Sequence, residues 1–175
     1  TEQTSAQNLG ILSASGTTTI TLGSTVDLSS TAITVASAAA TITKGTGSSD
    51  VTIATTLSAD GAITINGGGS GTLSVSTIGT AGGFTFNGEN MSGTGGNAGE
   101  YFSANTITTT SGNVAFTFGT GANGFVDVSA INTVSAFTLT GASLTTADIA
   151  LVALSATDSI NINMGGASGS AVMTN

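Results

Sequence analysis

Side chains with oxygen atoms that could bind a metal ion are concentrated in one glycine-rich stretch of the chain. Glu89, Asn97 and Glu100 lie in this stretch, among many glycines whose carbonyl oxygens could serve as further ligands. Calcium takes about six to eight oxygens from carboxylates, amides and backbone carbonyls. Asp127 is a fourth candidate ligand. It occupies the central position of an apolar triplet, so its carboxylate is predicted to face outward, where it could meet an ion. Ca²⁺ is therefore the candidate cofactor, and no organic cofactor is expected. The plainer interpretation, an acidic loop and an Asp127 that face only water, stays open.

The residue types on which most catalysis depends are missing from the chain. It has no His and no Cys, which excludes a Ser-His-Asp triad, a zinc site with imidazole ligands and a thiol nucleophile. The nine acids are scattered rather than paired, and there is no Trp and a single Tyr to hold a sugar. We therefore expect no enzymatic activity, including glycoside hydrolysis by two carboxylates.

The charge of the chain limits its partners. Charged residues make up 6% of the sequence, the net charge is −8, and Lys44 is the single basic side chain. Nucleic acids and anionic membranes are bound through clusters of Lys and Arg, so neither is an expected partner. No apolar run approaches the roughly 20 residues of a membrane-spanning helix, so no transmembrane segment is expected.

A short apolar-Thr-apolar triplet recurs along the chain at steps of about ten residues. Its copies, with polar or partial variants, are Ile20-Thr21-Leu22, Ile33-Thr34-Val35, Ile42-Thr43, Val51-Thr52-Ile53, Ile63-Thr64-Ile65, Leu73-Ser74-Val75, Phe84-Thr85-Phe86, Ile107-Thr108, Phe116-Thr117-Phe118, Val126-Asp127-Val128, Phe137-Thr138-Leu139 and Ile160-Asn161-Ile162. In a strand, successive side chains point to opposite faces, so the apolar residues are predicted to face a core and the central residue to face solvent. Gly or Asn-Gly often follows a triplet, as tight turns require.

The repeat predicts an all-β fold. A β-solenoid, in which two strands form one turn of about 20 residues and the turns stack in parallel, is favoured because like residues would stack on like. An antiparallel β-sandwich is the alternative. We predict one repetitive domain over residues 1–175, with irregular insertions at about 87–105 and 141–158, where the triplet step doubles. The second insertion could hold a short helix or an added strand.

Two features of the repeat suggest ways in which the protein could interact. The central threonines predict a regular array of hydroxyl and methyl groups, as an ice-binding surface would need; its members would be Thr21, Thr34, Thr43, Thr52, Thr64 and Thr85. A solenoid also ends in unpaired strand edges, which can pair with another copy of the chain.

The sequence resembles bacterial surface-layer proteins related to the RTX group. The resemblance lies in the Thr, Ala, Gly, Ser and Asn bias and in segments such as 126–130 and 150–162. The signature nonapeptide of that group, Gly-Gly-x-Gly-x-Asp-x-apolar-x, is matched most nearly by residues 95–103, which carry Ala98 in place of Gly and Glu100 in place of Asp. The resemblance implies a β-solenoid that assembles into a Ca²⁺-dependent lattice on the cell surface.

These observations predict a secreted structural protein at the bacterial cell surface or in an extracellular matrix. Its expected partner is itself, in an oligomer, lattice or fibre, and a cell-surface glycan is a further candidate. The alternative is a stalk of an adhesin or an ice-binding module within a larger surface protein.

Overall fold

A computed structural model describes residues 6–91, 100–118, 123–141, 146–163 and 170–173 of the chain. This part of the chain consists of β-strands joined by turns, and it contains no helix. The strands are β1 (Gln7–Asn8), β2 (Ile11–Ala14), β3 (Thr18–Thr21), β4 (Leu28–Val35), β5 (Ala40–Thr43), β6 (Val51–Ala59), β7 (Ile63–Gly69), β8 (Thr72–Thr80), β9 (Phe84–Met91), β10 (Glu100–Thr109), β11 (Val114–Phe118), β12 (Asn123–Thr133), β13 (Phe137–Gly141), β14 (Thr146–Ala156), β15 (Ile160–Asn163) and β16 (Ser170–Met173).

The strands alternate between two parallel sheets. Sheet A has nine strands in the order β1-β4-β6-β8-β10-β12-β14-β16, with β2 also paired to β4, and sheet B has seven strands in the order β15-β13-β11-β9-β7-β5-β3. Each turn therefore places one long strand in sheet A and one short strand in sheet B. The result is a β-solenoid of about six turns, as predicted. The antiparallel sandwich is wrong, because every strand pair in the described part is parallel.

Each turn of the solenoid contains a strand of sheet A and a strand of sheet B, so it spans about two steps of the triplet repeat. The side chain of Asn66 bonds to that of Thr43, 23 residues earlier, and Thr72 bonds to Asp50 at a distance of 22 residues. One turn is longer: Ser103 bonds to Ser74, 29 residues earlier. This turn contains positions 92–99, which lie outside the described residues.

The triplets of sheet B alternate between the core and the outside. In β11 and β13 the first, third and fifth residues are buried and the two between them are half-buried. Because the pairing is parallel and in register, like positions form columns along the solenoid axis. One inward column consists of Ala40, Ile63, Phe84, Val114, Phe137 and Ile160. This confirms the predicted orientation of the triplets.

The long strands of sheet A reverse their alternation once. In β8, Val75 and Ile78 are both buried, while Ser76 and Thr77 between them both face outward. β6 has one residue more at this point, because Ala54, Thr55 and Thr56 separate the buried Ile53 and Leu57, and its pairing with both neighbours shifts register there. Two successive outward residues mean that the strand bends, as at a β-bulge. Sheet A therefore presents two narrower faces, and sheet B presents one continuous face.

The core contains a cluster of phenylalanines that joins the two sheets. Phe102 of sheet A stacks on Phe86 of sheet B with a centroid distance of 4.6 Å and lies 6.2 Å from Phe84. Phe116 contacts Phe84, Phe86 and Phe137 at centroid distances of 5.7 to 6.1 Å. These rings are 0 to 1% exposed. Burial of these rings contributes strongly to the stability of this part of the core.

The two intervals that were predicted as irregular contain strands at most of their described positions. Residues 100–109 form β10 and residues 146–156 form β14, each in register with both neighbours. Of the helix and the added strand considered for the second interval, the strand is correct. Phe102, Ser103 and Ala104 extend the columns of Leu73, Ser74 and Val75, but the small Ala104 in place of a large apolar residue makes this triplet hard to recognise in the sequence.

Candidate functional site

Asp127 is the one predicted calcium ligand whose side chain lies among the described residues. It sits on β12 between Val126 and Val128, which are 1% and 0% exposed, and is itself half-buried on the outer side of sheet A. Its neighbours in the ladder are Ser103 on one side and Ala150 on the other. The predicted outward orientation of Asp127 is therefore confirmed, and the carboxylate lies in a column of small residues.

The other three predicted ligands lie partly or wholly outside the described residues. Asn97 is outside them, and Glu89 and Glu100 are placed only by their backbones, in β9 of sheet B and at the start of β10 in sheet A. Glu100 pairs with Gly124, three residues before Asp127, which is roughly 10 Å along a strand. The backbone therefore does not place Asp127 beside Glu100. Across the described ranges, no three Asp or Glu residues are grouped as a metal site would require, and calcium binding stays a prediction.

Carboxylates just before the strands of sheet A accept hydrogen bonds from the backbone of the next turn. Asp27 Oδ1 accepts the N–H of Asp50 at 2.8 Å, and Asp50 Oδ1 accepts the N–H and the hydroxyl of Thr72 at 2.6 and 3.0 Å. At the opposite end of these strands, Asp60 Oδ2 accepts the N–H of Ser37 at 2.8 Å. Ser37 has a φ of 63°. These acids satisfy backbone donors at the turns, so their role is structural.

Lys44 is buried in the turn that follows β5. Its side chain is 3% exposed, and its Nζ donates to the carbonyl oxygens of Ser49 and Ser70. A buried ammonium group needs such acceptors, because transfer from water to the protein interior is costly. The basic side chain thus joins two successive turns and is not available on the surface.

The outer side of sheet B is the most regular surface of the described structure. Two columns of side chains run along all seven strands, and we call this surface the threonine face. Every member except Ala115 is Thr or Asn: the first column is Thr19, Thr41, Thr64, Thr85, Ala115, Thr138 and Asn161, and the second is Thr21, Thr43, Asn66, Asn87, Thr117, Thr140 and Asn163. The face carries no charged residue.

Hydrogen bonds join three successive side chains of the second column. Asn87 Nδ2 donates to Asn66 Oδ1 at 2.9 Å, and Asn66 Nδ2 donates to Thr43 Oγ1 at 3.1 Å. The bonded side chains are half-buried, so neighbouring residues also restrict their rotamers. These three side chains are therefore held in place before any partner arrives, which lowers the entropic cost of binding at this part of the face.

The array of threonines expected from the sequence is divided differently in the structure. Thr34 and Thr52 lie on sheet A, whereas Thr21, Thr43, Thr64 and Thr85 lie on sheet B and in both of its columns. Sequence reasoning missed the remaining members of the threonine face. A Thr-x-Thr spacing at residues 19–21, 41–43 and 138–140 was the available signal.

No family model matches the chain, and neither the curated proteins nor the solved structures contain a match to it. Within the described ranges, no helix is long and apolar enough to cross a membrane.

Proposed function

We propose that this protein is a structural module of an extracellular assembly, and that copies of it join end to end. The observation that carries this proposal is the state of the apolar columns at the two ends of the solenoid. Inside the stack these columns are closed off from water. At the outermost described strands of sheet B the columns are less well covered: Ile160 is 51% exposed, and Ile20 at the opposite edge strand is only partly buried.

At the C-terminal end of the stack the exposure changes sharply. Ile63, Phe84, Val114 and Phe137 are each 0% exposed, yet Ile160, the next member of their column, is 51% exposed. Ile160 lies on β15, the edge strand of sheet B. Covering an isoleucine of this kind is worth about 1 to 2 kcal/mol, so this end favours a further layer.

The N-terminal end offers a matching surface. Leu12 of sheet A and Ile20 of sheet B are partly buried against the core, whereas the residues that follow them in their columns, Ile33 and Ile42, are each 1% exposed. β3 is the edge strand of sheet B at this end. A second copy placed head to tail would extend both parallel sheets, with Ile162 next to Ile20 in one column and Ile160 next to Thr18 in the other. Because such contacts do not close, they produce fibres.

The setting of this assembly follows from charge and from the resemblance stated above. The single Lys is buried, and the net charge of the chain is −8. Such an acidic surface suits an exterior environment in which cations are plentiful. We propose a bacterial surface layer or extracellular matrix as the location, Ca²⁺ as an aid to assembly, a cell-surface glycan as a further partner, and no catalytic activity.

The test is to place a charge at the end of the apolar column. Ile160→Lys would put an ammonium group into the proposed contact, and we expect it to weaken self-association by about tenfold or more. Val134→Lys is the matched control, because Val134 is 53% exposed but follows β12 inside the stack. Both changes reduce the net negative charge equally. Sedimentation velocity over a range of concentrations, with electron microscopy of the concentrated protein, gives the measurement.

A wild-type chain that stays monomeric at high concentration, with and without Ca²⁺, would contradict the proposal. Equal loss in the two variants would show that the contact does not lie at the end of the solenoid. If a chelator leaves association unchanged, the calcium component is wrong and the end-to-end contact stands.

A stalk of an adhesin is the second candidate, supported by the same unbroken parallel stacking of turns. A stalk separates other regions of a protein and needs no contact between copies. It therefore predicts a monomeric rod in sedimentation and no effect of Ile160→Lys on molecular mass.

A further inference from the structure

The threonine face repeats in two dimensions, and this sets it apart from the other outer surfaces of the solenoid. Along the axis its members are separated by the strand spacing of about 4.8 Å, and along each strand by two residues, or about 6.7 Å. The pairing of the two columns is in register from β3 to β15. Chemically similar groups therefore recur on a rectangular net.

We propose that the threonine face binds ice. A surface whose groups repeat in two dimensions is suited to a partner whose surface also repeats in two dimensions. The surface of an ice crystal is a partner of this kind. Hydroxyl and amide groups at fixed spacing can hold water molecules at fixed spacing, and water that bridges two polar surfaces is nearly as favourable as a direct hydrogen bond. The methyl group of each Thr adds apolar surface between the hydroxyl groups.

The chemistry of the face agrees with a neutral crystalline partner. It has no charge, so it does not select an ionic ligand. The threonine face contains no aromatic residue, and the rings of Phe84, Phe86 and Phe116 lie behind it and are 0 to 1% exposed. Ligand pockets for organic molecules are rich in aromatic and apolar side chains, and a face without them is poorly suited to sugar rings. The rings instead give the sheet a rigid backing.

Sheet A provides the comparison within the same molecule. Its outer side is also rich in Ser and Thr, but its long strands bend, and the register of β6 shifts against both of its neighbours, β4 and β8. One of its columns includes Asp127. Sheet B also has a register shift, between Asn66 and Gly68 in the pairing of β7 with β9, but this shift lies beyond the two columns. The repeat is therefore interrupted on sheet A and continuous along the two columns of the threonine face, which assigns ice binding to sheet B alone.

The experiment compares the same substitution on the two sheets. Thr64 lies in the middle strand β7 of the threonine face, between Thr41 and Thr85. Thr52 lies on sheet A between Ser29 and Ser74. Thr64→Tyr and Thr52→Tyr each add a ring that projects from an outward position. The probe is ice itself: partition of the purified full chain into slowly growing polycrystalline ice, together with thermal hysteresis.

We expect the wild-type chain to be enriched in ice relative to an inert protein of similar size. Thr64→Tyr should reduce this enrichment by about tenfold, because the ring holds the lattice away from the flat face, and Thr52→Tyr should keep it. Far-UV circular dichroism and thermal melting of both variants establish that they remain folded. Exclusion of the wild-type chain from ice would overturn the proposal, as would equal losses in the two variants.

Two further measurements exclude other partners and other causes. Binding of the wild-type chain to crystalline cellulose or chitin with no enrichment in ice would assign the face to a polysaccharide and overturn the proposal. Ile160→Lys should bind ice as the wild type does, because Ile160 is an inward position at the end of the stack. Loss of ice binding in Ile160→Lys would show that the effect belongs to an assembly and not to the face of one chain.

Discussion

Lys44 and Ser49 show at the level of single residues how this nearly uncharged protein uses polar groups in its interior. Lys44 is 3% exposed and has carbonyl oxygens of two different turns as acceptors. Ser49, which is 0% exposed, has a hydroxyl with no hydrogen-bond partner in the described structure. One of these buried polar side chains is satisfied and the other is not, so their removal should have opposite effects.

Lys44→Met should lower the free energy of unfolding by about 1 to 3 kcal/mol, because two carbonyl oxygens lose their donor. Ser49→Ala should raise it by up to about 1 kcal/mol, because the variant no longer buries an unpaired hydroxyl. Urea unfolding followed by circular dichroism measures both. A Lys44→Met variant as stable as the wild type would mean that the cost of burying the ammonium group equals the gain from its hydrogen bonds.

At the level of elements, the turns depend on close approach of the backbone between layers. Gly61 follows β6, and a Cβ at this position would lie 2.7 to 2.8 Å from backbone atoms of Ala38 and Ala39 in the preceding turn. The N–H of Gly61 also donates to the carbonyl of Ala38 at 2.8 Å. Gly79, on the outer side of β8, would place a Cβ in open space.

Gly61→Ala should therefore reduce the free energy of unfolding by about 1 to 3 kcal/mol, since a backbone contact cannot give way as a flexible side chain can. Gly79→Ala is the matched control and should leave stability unchanged or raise it by about 0.4 to 1 kcal/mol, because it restricts the unfolded chain. Thermal and urea unfolding of the two variants test this difference. Similar losses for both would indicate that the strands, and not the turns, limit the tolerance for a side chain.

At the level of the whole molecule, charge opposes the assembly that the apolar ends favour. Copies that each carry a net charge of −8 repel one another, and salt weakens this repulsion because the screening length falls to about 10 Å at 0.1 M. End-to-end association should therefore strengthen as NaCl rises from low to physiological concentration.

Calcium should strengthen association beyond this general screening only if it binds to specific groups. Sedimentation in CaCl₂ and in MgCl₂ at equal ionic strength separates the two effects, since the ions differ in preferred ligand number and geometry. Equal association in both salts would assign the role of the cation to screening. Weaker association at higher NaCl would show that attraction between charges, and not burial of apolar columns, holds the copies together.

The sequence by itself determined the class of fold and the orientation of each triplet. Alternation of apolar and polar residues has a period of two in any strand, so the inward orientation of Ile63 and Ile65 and the outward orientation of Thr64 followed from local pattern. The near-constant step also favoured stacked turns over hairpins. The triplet Phe102-Ser103-Ala104 was not found, because its third residue is the weakly apolar Ala104, and its place in the column is set by neighbours that are 29 residues distant along the chain.

Only the tertiary structure decided which outward residues share a surface. The positions of Thr34 and Thr43 in the repeat are alike, yet the first lies on sheet A and the second on sheet B. The assignment depends on where each turn bends and on the register between layers, and neither is encoded in the local alternation of side chains. The same holds for Asp127 and Glu100, since strand pairing and not sequence separation sets the distance between them. Spacing along the chain thus determined what faces outward, and stacking of the turns determined what lies side by side.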